Sequence, residues 1–65
     1  MHYFDSSAIS AAKYDPPSRV LTIWFASEGQ AYDYYEVPAK VYEGLIVAAS
    51  AGEYFNTHIR DQYAA

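Results

Sequence analysis

Residues 32–38, YDYYEVP, change character within a single stretch. Tyr32, Tyr34 and Glu36 alternate with Asp33, Tyr35 and Val37, the two-residue period of a strand. Pro38 ends the run. A residue before proline is held extended, and proline itself fits the first turn of a helix. Beyond it Val41, Tyr42, Leu45, Ile46, Ala48 and Ala49 recur at spacings of three and four, an apolar stripe with Lys40, Glu43 and Val47 opposite. A strand therefore hands over to a helix at Val37-Pro38, and the chain reads as α+β.

The parity of this strand decides its inner face. Asp33, in mid-strand, belongs in water, which sends Tyr32 and Tyr34 toward the core. Glu36 shares their parity and escapes only if the strand frays or bulges near its end. Upstream, Arg19 to Ser27 is the strongest strand. Leu21, Ile23 and Phe25 form its core set, with Val20, Thr22, Trp24 and Ala26 on the reverse. Glu28-Gly29-Gln30 makes the hairpin between the two, Gly29 supplying a positive φ.

Before that, Asp15-Pro16-Pro17-Ser18 is a turn with its corner at Pro17-Ser18, because the second proline keeps the first out of the α region. Ser7 to Tyr14 reads as a further strand in which Ile9, Ala11 and Lys13 alternate with Ser10, Ala12 and Tyr14. Met1 to Asp5 is expected to be a loose lead-in. Downstream, Gly44 costs its helix about 1 kcal/mol relative to alanine, and Gly52 reads as the stop signal after that helix. Glu53 to Arg60 is expected to form a second helix, pinned by Phe55 and Ile59 and extended in spacing by Tyr63. The predicted architecture is one domain over 6–65: a three-stranded antiparallel β-meander followed by two helices packed on one face.

Composition supports a packed domain. The chain has 65 residues and no cysteine, so packing alone must stabilise it. Twelve residues are Phe, Trp or Tyr, and rings bury a large area each. The net charge of −4 is a poor footing for nucleic acid, whose affinity comes from Lys and Arg at phosphates. The start lacks a basic segment followed by an apolar run, and the longest apolar stretch, Leu45 to Ala49, is too short to span a bilayer. A cytoplasmic protein is expected.

Ser6-Ser7-Ala8-Ile9, Tyr14-Asp15-Pro16, Tyr32-Asp33-Tyr34, Val37-Pro38, Val41-Tyr42, the tail Gly52-Glu53-Tyr54-Phe55-Asn56-Thr57-His58-Ile59-Arg60 and Tyr63 together resemble the KTSC domain family. That family is named for its place at the C-terminus of some lysyl-tRNA synthetases, and it also occurs as stand-alone bacterial proteins of this size. The resemblance covers Ser6 to Tyr63. It implies a module with no assigned reaction, and RNA as a suggested partner. Pro17 departs from the pattern by lengthening the rigid part of the first turn, and the acidic balance weighs against RNA here.

No catalytic constellation emerges. The acids are dispersed, Ser6 and Ser7 have no base placed near them, and the glycines are too scattered for a phosphate loop. His2 and His58 are remote from each other, so no metal site or cofactor is expected. What remains are binding candidates. Trp24 and Tyr35 fall on the face opposite the helices and are expected to form an exposed platform there. Tyr32 and Tyr34 are either core rings or a stacking surface for bases. Arg60 is suited to a carboxylate or phosphate, or to pairing with Asp61 or Glu36, and Asn56 shares its helical side. Lys13, Arg19 and Arg60 are the cations that would serve RNA, with Trp24 or Tyr35 for stacking. The expected function is a small non-catalytic interaction module whose aromatic sheet face meets a protein partner or a second copy in a homodimer. The alternative is an RNA-binding accessory domain.

Overall fold

The computed structural model describes residues 1–63; the expected domain limit at 65 takes in residues 64 and 65, which lie outside the described ones. In chain order the elements are β1 (His2–Tyr3), β2 (Ile9–Asp15), β3 (Val20–Phe25), β4 (Ala31–Tyr34), α1 (Ala39–Val47) and α2 (Ala51–His58). The strands form one antiparallel sheet in the order β1-β2-β3-β4.

The sheet has four strands where three were expected. His2 pairs with Ala12 and Tyr3 with Ala11, and the Phe4 amide donates to the Ser10 carbonyl at 2.9 Å. Two residues are too few to display a period, so only the free edge of β2, whose backbone groups need partners, defines this strand.

The alternation expected in β2 is also broken. Ile9 faces Phe25 and Ala11 faces Trp24, so Ser10 is an extra residue in a β-bulge. The bulge puts Ile9 on the same face as Ala12 and Tyr14, not with Ala11 and Lys13. Ile9 and Ala12 are accordingly both fully buried in the core. The Ser10 hydroxyl, displaced to the rim, donates to the Trp24 carbonyl at 3.1 Å.

The turns behave as their residues dictate, with one shift. Gly29 supplies the positive φ (70°) in the β3–β4 hairpin. In the β2–β3 turn the left-handed residue is Arg19 (φ 59°), one beyond the expected corner at Pro17-Ser18. Its amide donates to the Asp15 carbonyl at 2.8 Å, and the Ser18 hydroxyl bonds the Asp15 carboxylate. β4 stops at Tyr34, and Glu36 adopts φ 58°, which turns it out to solvent as its parity required.

Pro38 sits at the N-cap of α1 with extended backbone, one position before the helix proper. Val47 is 79% exposed on the far side, as the stripe predicted. Gly52 does not stop α1. It lies in the first turn of α2, after Ser50, whose hydroxyl accepts from the Glu53 amide at 3.3 Å as an N-cap. The glycine is needed for proximity: a Cβ there would stand 2.7 Å from the Cβ of Ala8. α2 therefore begins two residues earlier than its expected Glu53.

Helices and sheet meet in one core. Ile9, Leu21, Ile23, Val37, Leu45 and Ile59 are fully buried at its centre. Tyr34, Ala51 and Phe55 belong to the same cluster, with Tyr14, Phe25, Tyr32 and Tyr42 packed against it.

Candidate binding cleft

The strand parity argued from Asp33 holds: Tyr34 is buried in the core and Tyr32 packs against it, while Asp33 accepts a hydrogen bond from the Thr22 hydroxyl at 2.7 Å on the reverse face. The two inward tyrosines do more than fill the core. Their rings join a run of edge-on aromatics that links sheet to helix. Tyr32 meets Phe25 at 5.5 Å, Phe25 meets Phe55 at 5.1 Å, and Phe55 meets Tyr34 at 5.6 Å.

This aromatic run is one wall of a cleft of about 390 Å³, within the range of small-ligand sites. Glu28 from the hairpin and Asn56 and Arg60 from α2 and its exit complete the polar rim. Ala8, Ile9 and Gly52 line the end where α2 approaches β2. Four of the residues singled out in the sequence, Tyr32, Tyr34, Asn56 and Arg60, thus come together from positions far apart in the chain. Two further hollows, of about 350 and 410 Å³, contain none of those candidates.

The rim has opposite charges in one opening. The Tyr32 hydroxyl donates to the Glu28 carboxylate at 2.6 Å. That bond, followed by the Glu28 charge, raises the Tyr32 phenol above its ordinary 10.0. Burial raises Tyr34, and Glu28 adds to the rise, while the charge of Arg60 pulls it down. Tyr34 therefore lies in the field of both ions. Among the described residues, none of the side-chain hydrogen bonds joins Arg60 to Asp61 or Glu36, the partners expected for it.

The open face is organised differently from the expected platform. Trp24 stands opposite Ala31, whereas Tyr35 lies beyond the end of β4, next to the residue paired with Leu21. Trp24 and Tyr35 are thus separated along the sheet, with the polar row Lys13, Thr22 and Asp33 between them. The aromatic neighbour of Trp24 is Tyr3, reached across Ala11. Ala11 is 5% exposed yet outside the core cluster, so its cover comes from this outer face. Tyr3 itself is 75% exposed. Arg19 sits in the β2–β3 turn, and neither it nor Lys13 lines the cleft.

Sequence reasoning missed Glu28, Phe25 and Phe55 as cleft residues and Tyr3 as a surface aromatic. Glu28 read as turn material and the two phenylalanines as core. The signal for Glu28 was its spacing from Tyr32 across a tight hairpin, which brings acid and phenol side by side. Among the described residues, no cluster of three or more His, Cys, Asp or Glu could hold a metal ion, and no helix is long and apolar enough to cross a membrane.

Comparison with known proteins places this architecture. A protein of Tsukamurella paurometabola is 40% identical over the whole chain and 96% of its own length. A lysine–tRNA ligase of Nostoc sp. is 41% identical over 91% of this chain, which matches only 10% of the ligase. The crystal structure of a KTSC domain protein from Yersinia pestis superposes with a TM-score of 0.91 at 32% identity, covering 97% of this chain and 87% of that one. The KTSC domain model itself matches residues 5–63. With Tyr32 and Tyr34 of β4 and Phe55, Asn56 and Arg60 of the tail lining one cleft, this chain belongs to the KTSC domain family, whose members include small stand-alone proteins and a segment of some lysine–tRNA ligases.

Proposed function

We propose that this chain is a non-catalytic binding module and that its ligand site is the cleft between β4 and α2. One observation carries the reading: Tyr32, Tyr34, Asn56 and Arg60, chosen from the sequence on separate grounds, line a single aromatic opening. The chemistry around it favours binding over turnover. The two phenols with displaced pKa values are both raised, away from neutral pH, which is the wrong direction for a proton-transfer group working near pH 7. The partner in this reading is a protein. Glu28 at the rim and the net charge of −4 work against the polyphosphate backbone of RNA.

A screen of neutral aromatic fragments by two-dimensional NMR tests the location. The expected result is shift changes concentrated at Tyr32, Tyr34, Asn56 and Arg60, with single-stranded RNA at low salt leaving those signals in place. Changes concentrated at Tyr3 and Trp24 would move the site to the open face. That face supports a second reading, self-association, because Tyr3, 75% exposed, and the half-buried Trp24 flank a covered Ala11. A sedimentation coefficient that rises with protein concentration and loses that dependence in Tyr3→Ser would favour it.

A further inference from the structure

The cleft has a cation and an anion on one rim above an apolar wall, and this arrangement selects among ligands. Arg60 presents a guanidinium, whose planar fork matches a carboxylate or a phosphate through paired hydrogen bonds. Asn56, on the same rim, offers amide N–H donors to the same group, and the Tyr34 hydroxyl lies within the field of Arg60. Phe25 and Phe55 give the remainder of a ligand an apolar surface. Glu28 limits the charge that can be accepted. Its carboxylate faces the same opening, so each extra negative charge on the ligand meets repulsion there, and the acidic chain adds to it.

We propose that the cleft binds a single carboxylate carried on an apolar or aromatic body, with the carboxylate at Arg60 and Asn56 and the body against Phe25 and Phe55. The inference rests on the cleft being the ligand site. The shared chemistry has two sources, a small aromatic acid and the C-terminal residue of a polypeptide. A dianionic phosphate ester is excluded by Glu28, and a neutral amide lacks the charge that Arg60 recognises.

The test uses the full chain labelled with ¹⁵N and four probes: N-acetyl-phenylalanine, its neutral amide, phenyl phosphate, and a hexapeptide ending in a free phenylalanine carboxylate. N-acetyl-phenylalanine is expected to shift signals around the cleft and to bind about tenfold more tightly than the amide, the worth of one charge-assisted pair. Arg60→Gln is expected to remove that tenfold preference, and Glu28→Gln to strengthen the acid and admit phenyl phosphate. Both positions are exposed, so the variants retain the fold. Tighter binding of the hexapeptide identifies a polypeptide terminus as the source, and equal binding a small acid; either supports the proposal. Acid and amide binding equally in the cleft, with Arg60→Gln silent, would overturn the carboxylate assignment while leaving the cleft as the site. Phenyl phosphate binding more tightly than the acid to the unaltered protein would overturn it too. Absence of any cleft shift with all four probes would remove the site and the inference together.

Discussion

Glu28 and Tyr32 are joined by one short hydrogen bond, and that bond makes the cleft rim sensitive to alkaline pH. The phenol donates to the carboxylate at 2.6 Å, so losing its proton removes the bond and sets two negative charges side by side. The Tyr32 pKa is raised above 10.0 for this reason, and that of Tyr34 is raised chiefly by burial. A folded pKa above the unfolded value means that the folded chain holds its proton more tightly. The stabilisation is therefore complete below about pH 10, the unfolded pKa of a phenol, and is lost as the pH climbs through the raised folded values. Following each tyrosine ring by ¹³C NMR during an alkaline titration should show Glu28→Ala lowering the Tyr32 midpoint. Arg60→Gln removes the one influence that lowers Tyr34 and should move its midpoint further up. An unchanged Tyr32 midpoint in Glu28→Ala would mean that the bond does not persist in solution.

Between elements, α1 and α2 approach closely at Gly44. A Cβ there would overlap the hydroxyl oxygen of Tyr54 and lie 2.7 Å from its ring carbon Cζ. The glycine weakens α1 by about 1 kcal/mol through propensity, yet it makes room for a ring that packs on the core and also meets His58 at 4.4 Å. Overpacking costs roughly 1–3 kcal/mol, more than alanine returns, so Gly44→Ala should destabilise the protein by about 1 kcal/mol. In a Tyr54→Ala background the clash is absent and the same change should stabilise by about 1 kcal/mol. Urea melts of the four proteins in this cycle check the reversal, and an unchanged sign in both backgrounds would show that Tyr54 moves aside freely. The sequence shows that Gly44 interrupts a helix but not which side chain fills the gap, since Tyr54 lies on the next element. The same limit hid the bulge at Ser10, because a strand with one inserted residue still reads as simple alternation. It hid β1 as well: two residues carry no period, and only pairing with β2 makes them a strand. Parity within β4 was legible because Asp33 and Pro38 constrain it locally. The cleft was legible only as separate residues, because the distance between β4 and α2 is a property of the packed chain.

The molecule as a whole depends on a few buried residues from every layer, and this determines how it fails. A domain below about 70–80 residues without staples rarely gains more than 3–5 kcal/mol from its core. This chain has 65 residues and no cysteine. Among the described residues of α1, Leu45 alone is counted as buried, so the helix is held to the sheet chiefly by that side chain and the half-buried Val41 and Tyr42 beside it. Truncating a buried leucine to alanine costs about 2–5 kcal/mol, comparable with the entire stability available. Leu45→Ala should therefore unfold a large fraction of the protein at 25 °C, with loss of sheet and helix signals together in circular dichroism. Ile59→Val removes one methylene from an equally buried site and should cost only about 1 kcal/mol, lowering the melting midpoint of a protein that stays folded. The contrast bears on the cleft. Its walls come from β4 and from α2, which shares its core with α1 through Phe55, Ile59 and Leu45. If Leu45→Ala kept the sheet and α2 intact while α1 alone melted, the core would consist of separable parts and the cleft would survive without α1. A single cooperative transition at every probe would instead show that the site exists only in the fully assembled domain.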